Sequence, residues 1–247
     1  MILTGYLVWL QSALSMGARV QLMNSHIACP TDKTSPLVSF SPTYTAGVTG
    51  FLSWGWQPFL RAGIELGYQG VGQKYYGLGL SGRDYSAEIN LHYLRVGLAF
   101  QPQYQREGKN WGLWMSFCPS VTFLTQADMI LQGDSVSPGN AIAPQVIQTV
   151  LAYLDRSTRP EDRLILQRMY QPVGGSLHVA AGLRFRLVPQ VWILALLSYE
   201  ISLGDIEKKS FRLGGEGAPL YSSNRKPAFY QLIGLQLGLQ YEVFLRH

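Results

Sequence analysis

Between Ala228 and Phe244 hydrophobic and polar positions alternate. Phe229, Ile233, Leu235, Leu237, Leu239, Tyr241 and Val243 hold one parity, and Tyr230, Gly234, Gln236, Gly238, Gln240 and Glu242 hold the other. Successive side chains of a strand point to opposite faces, so the spacing predicts one long strand with an oily face and a polar, glycine-rich face. It is longer than a usual soluble strand and suits a tilted membrane strand, which needs about 9–11 residues across the hydrocarbon.

The same pattern recurs upstream. Ala46, Val48, Gly50, Leu52, Trp54 and Trp56 alternate with Thr45, Gly47, Thr49, Ser53 and Gly55. After a turn at Gln57-Pro58, Leu60, Ala62, Ile64, Leu66 and Tyr68 alternate with Arg61, Gly63, Glu65, Gly67 and Gln69, which predicts a hairpin. Tyr85, Ala87, Ile89, Leu91 and Tyr93 continue the theme, then the apolar parity flips to Leu94, Val96, Leu98 and Phe100. One extra residue shifts a register by one, so a bulge is expected near Tyr93-Leu94. Further strands are predicted from Trp111 to Phe123, Leu177 to Leu187 and Val191 to Ile201. Val20 and Leu22 could belong to a short first strand.

The connections at 57–58, 105–110 and 188–190 are short, whereas those at 71–84, 126–174 and 205–227 are long. Short periplasmic turns alternating with long outer loops are the layout of outer-membrane barrels. Seven strands are legible. Single-chain bacterial barrels have even numbers, which places an eighth before residue 44. The expected fold is all-β: an eight-stranded antiparallel outer-membrane β-barrel with a partly helical long outer loop. A soluble lipocalin-like barrel is the alternative, with the apolar face turned inward.

Inside the 126–174 insertion, Val146, Ile147, Val150, Leu151 and Leu154 have helical spacing after Pro144. Thr158-Arg159-Pro160-Glu161 reads as a capping box leading into Leu164, Ile165 and Met169. Two amphipathic stretches in so long a loop must set their apolar faces against the barrel mouth, each other or a partner's groove; the expectation is a partner-binding surface, with packing of the stretches on each other as the alternative. Residues 1–18 read as a secretory leader, because Ile2 to Leu14 is a short apolar run followed by small residues, although no Lys or Arg precedes it. A buried strand or an anchoring helix is the alternative. The barrel domain is then 19–247.

Composition narrows the function. Of 247 residues, 47% are hydrophobic and only 14% charged, too few charges for an ordinary soluble surface. The net charge of +5 comes from scattered basic residues, which gives no nucleic-acid footprint. Cys29 and Cys118 make no disulfide framework, and His26-Ile27-Ala28 before Cys29 is a poor lipid-attachment signal. No metal-ligand spacing such as CxxC or HExxH occurs, and neither a metal nor a small-molecule cofactor is expected.

Arg61, Arg95, Arg184 and Arg186 stand on the polar parity against Glu65, Glu88, Glu200 and Glu242. An eight-stranded barrel is just wide enough to be filled by side chains, which favours a plug of ion pairs over an ion or proton path. His92 and His178 share this parity with Ser86, Ser120 and Ser176 nearby, but no spacing selects a Ser–His pair, so histidines hydrogen-bonded in the lumen are expected. Trp54, Trp56, Trp111, Tyr68, Tyr85 and Tyr199 near strand ends read as interfacial girdles.

Tyr93-Leu94-Arg95-Val96-Gly97-Leu98 resembles the YLxxPL strand of the PorT-like outer-membrane barrel family. Pro58 to Tyr68 is similar to its strand with a Glu-Leu-x-Tyr element, and Ser198 to Ile206 to its RYxxGLxDI element. Gly97 stands where the family often has Pro, and Glu200 where Arg is common. The resemblance spans about residues 44–247 and implies an eight-stranded outer-membrane barrel without catalytic residues. Some members belong to the type IX secretion and gliding apparatus. The expectation is therefore a non-enzymatic barrel, embedded in outer-membrane lipid, that docks other envelope proteins. A small-solute channel and a lipid-modifying enzyme are the rivals.

Overall fold

In the computed structural model the described residues are 13–29, 39–57, 59–105, 108–136, 146–147, 150, 163–209 and 226–244. Their named elements are strands: β1 (Ala13–Ala28), β2 (Ser39–Gln57), β3 (Leu60–Leu78), β4 (Asp84–Gln105), β5 (Trp111–Gly133), β6 (Arg163–Ile165), β7 (Val173–Val188), β8 (Val191–Ser202) and β9 (Phe229–Phe244), and Val146, Ile147 and Val150 have helical backbone. Each of β1 to β5 pairs antiparallel with the next, β5 pairs with β7, and β7 to β9 run on in order. β9 then pairs with β1 from Ala13↔Phe244 to Ala28↔Phe229 and closes an eight-stranded barrel. Closure leaves no wall strand with an unpaired long edge, as a membrane requires.

The missing eighth strand is β1, and it begins inside the stretch expected to be a leader. Ala13 to Ala18 pair with both β2 and β9, so a boundary at residue 18 would cut into the wall. Residues 1–12 lie outside the described residues.

The wall is uneven. β4 has 22 residues and β5 has 23, whereas β8 has 12. About 9–11 residues cross the hydrocarbon, so β3 to β5 rise well past the membrane at the end with the long connections. Two expected loops are therefore wall. Residues 71–78 continue β3 and pair with β4 up to Leu78↔Asp84, and residues 126–133 continue β5. The predicted helix over Pro160–Tyr170 is not formed where it is described: Arg163–Ile165 is β6, hydrogen-bonded to Asp128–Ile130 of β5. A bare extension of β5 needs a strand partner there, because β7 stops at Val173↔Phe123.

The bulge is also displaced. β4 runs through Tyr93 and Leu94 in unbroken register with β3. The irregularity lies opposite, in β5, where His92 pairs with Gln126 and Tyr93 with Leu124, leaving Thr125 as the extra residue. Tyr93 and Arg95 therefore face inward on one parity. The flip of apolar parity in the sequence is a change in what fills the lumen.

Candidate functional site

Below the flip the inward face carries the buried charges, packed beside a small apolar cluster of Phe51, Trp114, Ala180, Leu194 and Leu196. Arg19, Glu65, Arg95, His178 and Glu200 meet at mid-barrel, all fully buried. Glu65 is the hub. Arg19 Nη2 lies 2.5 Å and Arg95 Nη2 3.4 Å from its carboxylate, and the Ser116 hydroxyl donates to it at 3.1 Å. Arg95 continues to Glu200 at 3.2 Å, where Gln69 Nε2 and the Tyr230 hydroxyl also donate, at 2.7 and 3.0 Å. His178 bonds Gln236 at 2.9 Å, and Gln236 donates to Gln21 at 2.9 Å. The Arg19 guanidinium also lies against the rings of Phe51 and Trp114, at 5.2 and 5.1 Å. Towards the short turns a second cluster forms: Arg61 and Arg184 reach Glu242 at 2.8 and 3.1 Å, and Gln240 donates to the same carboxylate at 3.0 Å. Buried charges persist when paired, and each of these charges has an opposite charge within 3.4 Å, although the Arg19 guanidinium is held by its ion pair and ring contacts without a hydrogen bond of its own. Gly97 makes room beside them: a Cβ there would lie 2.2 Å from Ser120 Oγ and 2.5 Å from Cys118 Sγ.

Above the flip the inward face turns oily. Met23, Ile27, Val71, Tyr75, Ala87, Ile89, Leu91, Met129, Leu131 and Leu232 form one buried cluster with Val146, Ile147, Val150, Leu164, Leu166 and Met169 of the long connection. The outward face inverts as well. Within the belt it carries Leu66, Val96, Leu98, Phe117, Leu197, Leu235 and Leu237. Above the belt Lys74 pairs across strands with Glu88, and Arg163 makes an ion pair with Asp128.

These placements sort the expected site residues. Arg61, Glu65, Arg95, Arg184, Glu200 and Glu242 are in the lumen network. Arg186 stands at the lower rim, its guanidinium 4.6 Å from the Trp192 ring. Glu88 does not belong: it shares the parity of Ser86 and Asn90 on the outer wall, because Ala87 and Ile89 take the lumen side. Val146, Ile147, Val150, Leu164 and Met169 are at most 2% exposed, so they fill the barrel mouth and do not present a partner-facing surface. Ile165 alone points out, 77% exposed. Leu151 and Leu154 lie outside the described residues. Arg19 was missed, although Met16, Ala18, Val20 and Leu22 alternating with Ser15, Gly17, Arg19 and Gln21 was a usable signal. Among the described residues no hydrogen bond joins Ser86, Ser120 or Ser176 to His92 or His178. Ser120 bonds Cys118 instead, at 3.3 Å.

A closed barrel with an exposed apolar belt, short turns at one end and long connections at the other belongs to one kind of membrane. This is an outer-membrane β-barrel protein. No family model matches the chain, and no curated protein does. Solved structures that match are outer-membrane barrels. Neisserial surface protein A is 9% identical over 92% of this chain and 96% of its own, with a TM-score of 0.42. OprG of Pseudomonas aeruginosa is 10% identical over 95% and 97%, with a TM-score of 0.40. The protease OmpT of Escherichia coli is 9% identical over 94% and 96%, with a TM-score of 0.38. Likenesses at this level concern the fold and assign no activity. The last still corrects one expectation: barrels among the matches include an enzyme, so the expectation that this chain is not an enzyme is withdrawn.

Proposed function

We propose that this barrel serves as a docking point or subunit of a larger envelope complex. The observation that supports it most is the filled lumen. Ion pairs occupy the lower half, and the long connection seals the upper half with apolar side chains. A solute path needs a continuous wet cross-section, and among the described residues the packing of this eight-stranded barrel argues against one. What remains for a partner is the raised outer end. Leu80, at the β3–β4 turn, is 58% exposed, and Ile165 on β6 is 77% exposed. The resemblance to PorT-like barrels makes protein secretion of the type IX kind the class of assembly proposed.

The test uses two substitutions, Leu80→Glu and Ile165→Glu. Both sites are exposed, so the barrel stays folded in detergent and keeps its heat-dependent gel mobility. The double variant loses proteins that cross-link to the wild type in intact cells. Retention of every wild-type partner would overturn the docking proposal. Steady, long-lived conductance of the pure protein in a planar bilayer would replace it with a pore.

A further inference from the structure

The ladder between β2 and β3 breaks on the tall side of the wall. Gly47 pairs with Gln69 and Pro42 with Gln73, and the register slips between them. Gly70 lies in this gap on the outward parity, buried beside the Thr45 side chain and with no side chain of its own to fill the space. The result is a cleft of about 280 Å³ that reaches in to Val71 and Leu91, two residues of the oily lumen cluster. Its walls are aromatic and hold no lysine, arginine, aspartate or glutamate. Tyr44 is 78% and Tyr68 42% exposed, and the His92 ring stacks on Tyr68 at 5.8 Å. Asn90 and Thr45 add an amide and a hydroxyl, and His92 Nδ1 is buried without a hydrogen-bond partner.

Height decides what meets this cleft. Outward residues climb β3 as Ile64, Leu66 and Tyr68, all exposed and apolar or aromatic, and then change to Gly70, Gly72 and Lys74. The cleft therefore sits where hydrocarbon gives way to headgroups, in the outer leaflet, at the level where barrels carry their aromatic girdle. A lipid-facing cleft is occupied by lipid. Ring faces suit the apolar face of a sugar, amide and hydroxyl groups suit its hydroxyls, and no lining ammonium or guanidinium addresses a phosphate. We infer that the cleft binds the sugar headgroup of an outer-leaflet glycolipid, whose acyl chain runs down the strip of Val48 and Leu66. This site does not rest on the docking proposal: it lies on the wall, below the β3–β4 turn that carries Leu80.

The experiment is native mass spectrometry of the detergent-solubilised full chain, titrated with an acylated glucosamine disaccharide free of phosphate and, separately, with phosphatidylethanolamine. The disaccharide lipid binds about tenfold more tightly. Tyr68→Ser removes a ring, and Gly70→Leu fills the cleft, where a new Cβ meets the Thr45 side chain at 3.3 Å and Ala46 O at 3.9 Å. Each weakens glycolipid binding about tenfold and leaves phosphatidylethanolamine unchanged. Tyr199→Ser, on the outward face of β8, binds as wild type. Heat-dependent mobility confirms closure of each variant, and Tyr68→Ser decides alone if Gly70→Leu does not fold. Equal affinity for the two lipids, wild-type glycolipid binding by the folded cleft variants, or equal weakening by Tyr199→Ser would each overturn the proposal.

Discussion

The lower and upper halves of this lumen are lined by the same strands and solved by opposite chemistry. On β4 the inward parity carries Tyr85, Ala87, Ile89, Leu91 and Tyr93 above, then Arg95, Gly97 and Gln101 below. β1 changes from Gln21 to Met23, β3 from Gln69 to Val71, and β9 from Leu232 to Gln236, around the same level. The outside changes in the reverse sense, from oily belt to polar wall. The reason is the solvent. Where lipid surrounds the wall, apolar side chains must face out, and the lumen is left for polar groups that satisfy one another. Where water surrounds it, burying apolar surface inside becomes favourable, and the upper half is built as a soluble β-protein is. The long connection supplies the second layer that such a core needs.

Four measurements would break or sharpen this contrast. Glu65→Ala has the largest expected effect. It strips two fully buried guanidinium groups, Arg19 and Arg95, of a shared partner, and stranding a buried charge costs about 3–5 kcal/mol. The urea midpoint in detergent should fall sharply, or the fast-migrating folded band should vanish. A midpoint within error of wild type would mean that the lower network does not hold the barrel together.

Ile89→Ala probes the other half. The side chain is fully buried in the oily cluster, and its truncation costs about 2–5 kcal/mol. The loss should be local: faster hydrogen exchange in residues 72–91 and 127–131, with protection of the belt strands retained. Uniform loss of protection would show that the two cores unfold as one.

Deleting Thr125 should matter less. Without it Gln126 follows Leu124, and the existing pairs with His92 and Tyr93 become continuous, so neither inward set changes face. The losses are the hydrogen bonds from Thr125 Oγ1 to His92 O at 2.9 Å and from Gln167 to Thr125 O at 3.2 Å, about 1 kcal/mol each. Collapse of the upper core in the deletion variant would show that the bulge, and not the residue pattern, sets the inversion.

The smallest effect concerns the upper rim. The Ser81 hydroxyl and amide donate to Asp134 at 2.7 and 2.8 Å, and the Ser135 amide at 2.8 Å. The Ser81 hydroxyl first, then the backbone donors, hold this exposed carboxyl below its ordinary range. A depressed carboxyl stabilises the fold above its unfolded value, and that contribution is lost as pH falls through the lowered one. Exchange at residues 79–83, corrected for the intrinsic pH dependence, should rise only in acid, and Asp134→Asn should remove the pH step.

Much of this was readable along the chain. Strict alternation in β2, β3, β4, β5, β7, β8 and β9 identified the wall, its belt and six of the buried lumen charges, because a two-residue period has one structural meaning. Even the inversion was visible at Tyr93-Leu94. The pattern places the bulge in β4 itself only if apolar residues always face lipid, and the same premise misplaces Glu88. Deciding otherwise requires knowing how high the membrane reaches and what covers the inside above it. Alternation reports that a strand has two faces, not which solvent each one meets. The fate of Val146, Ile147 and Val150 had the same limit. An amphipathic pattern requires burial of its apolar face, but only closure of the barrel through β1 and β9, with β3 to β5 raised above it, created the mouth in which that face is buried.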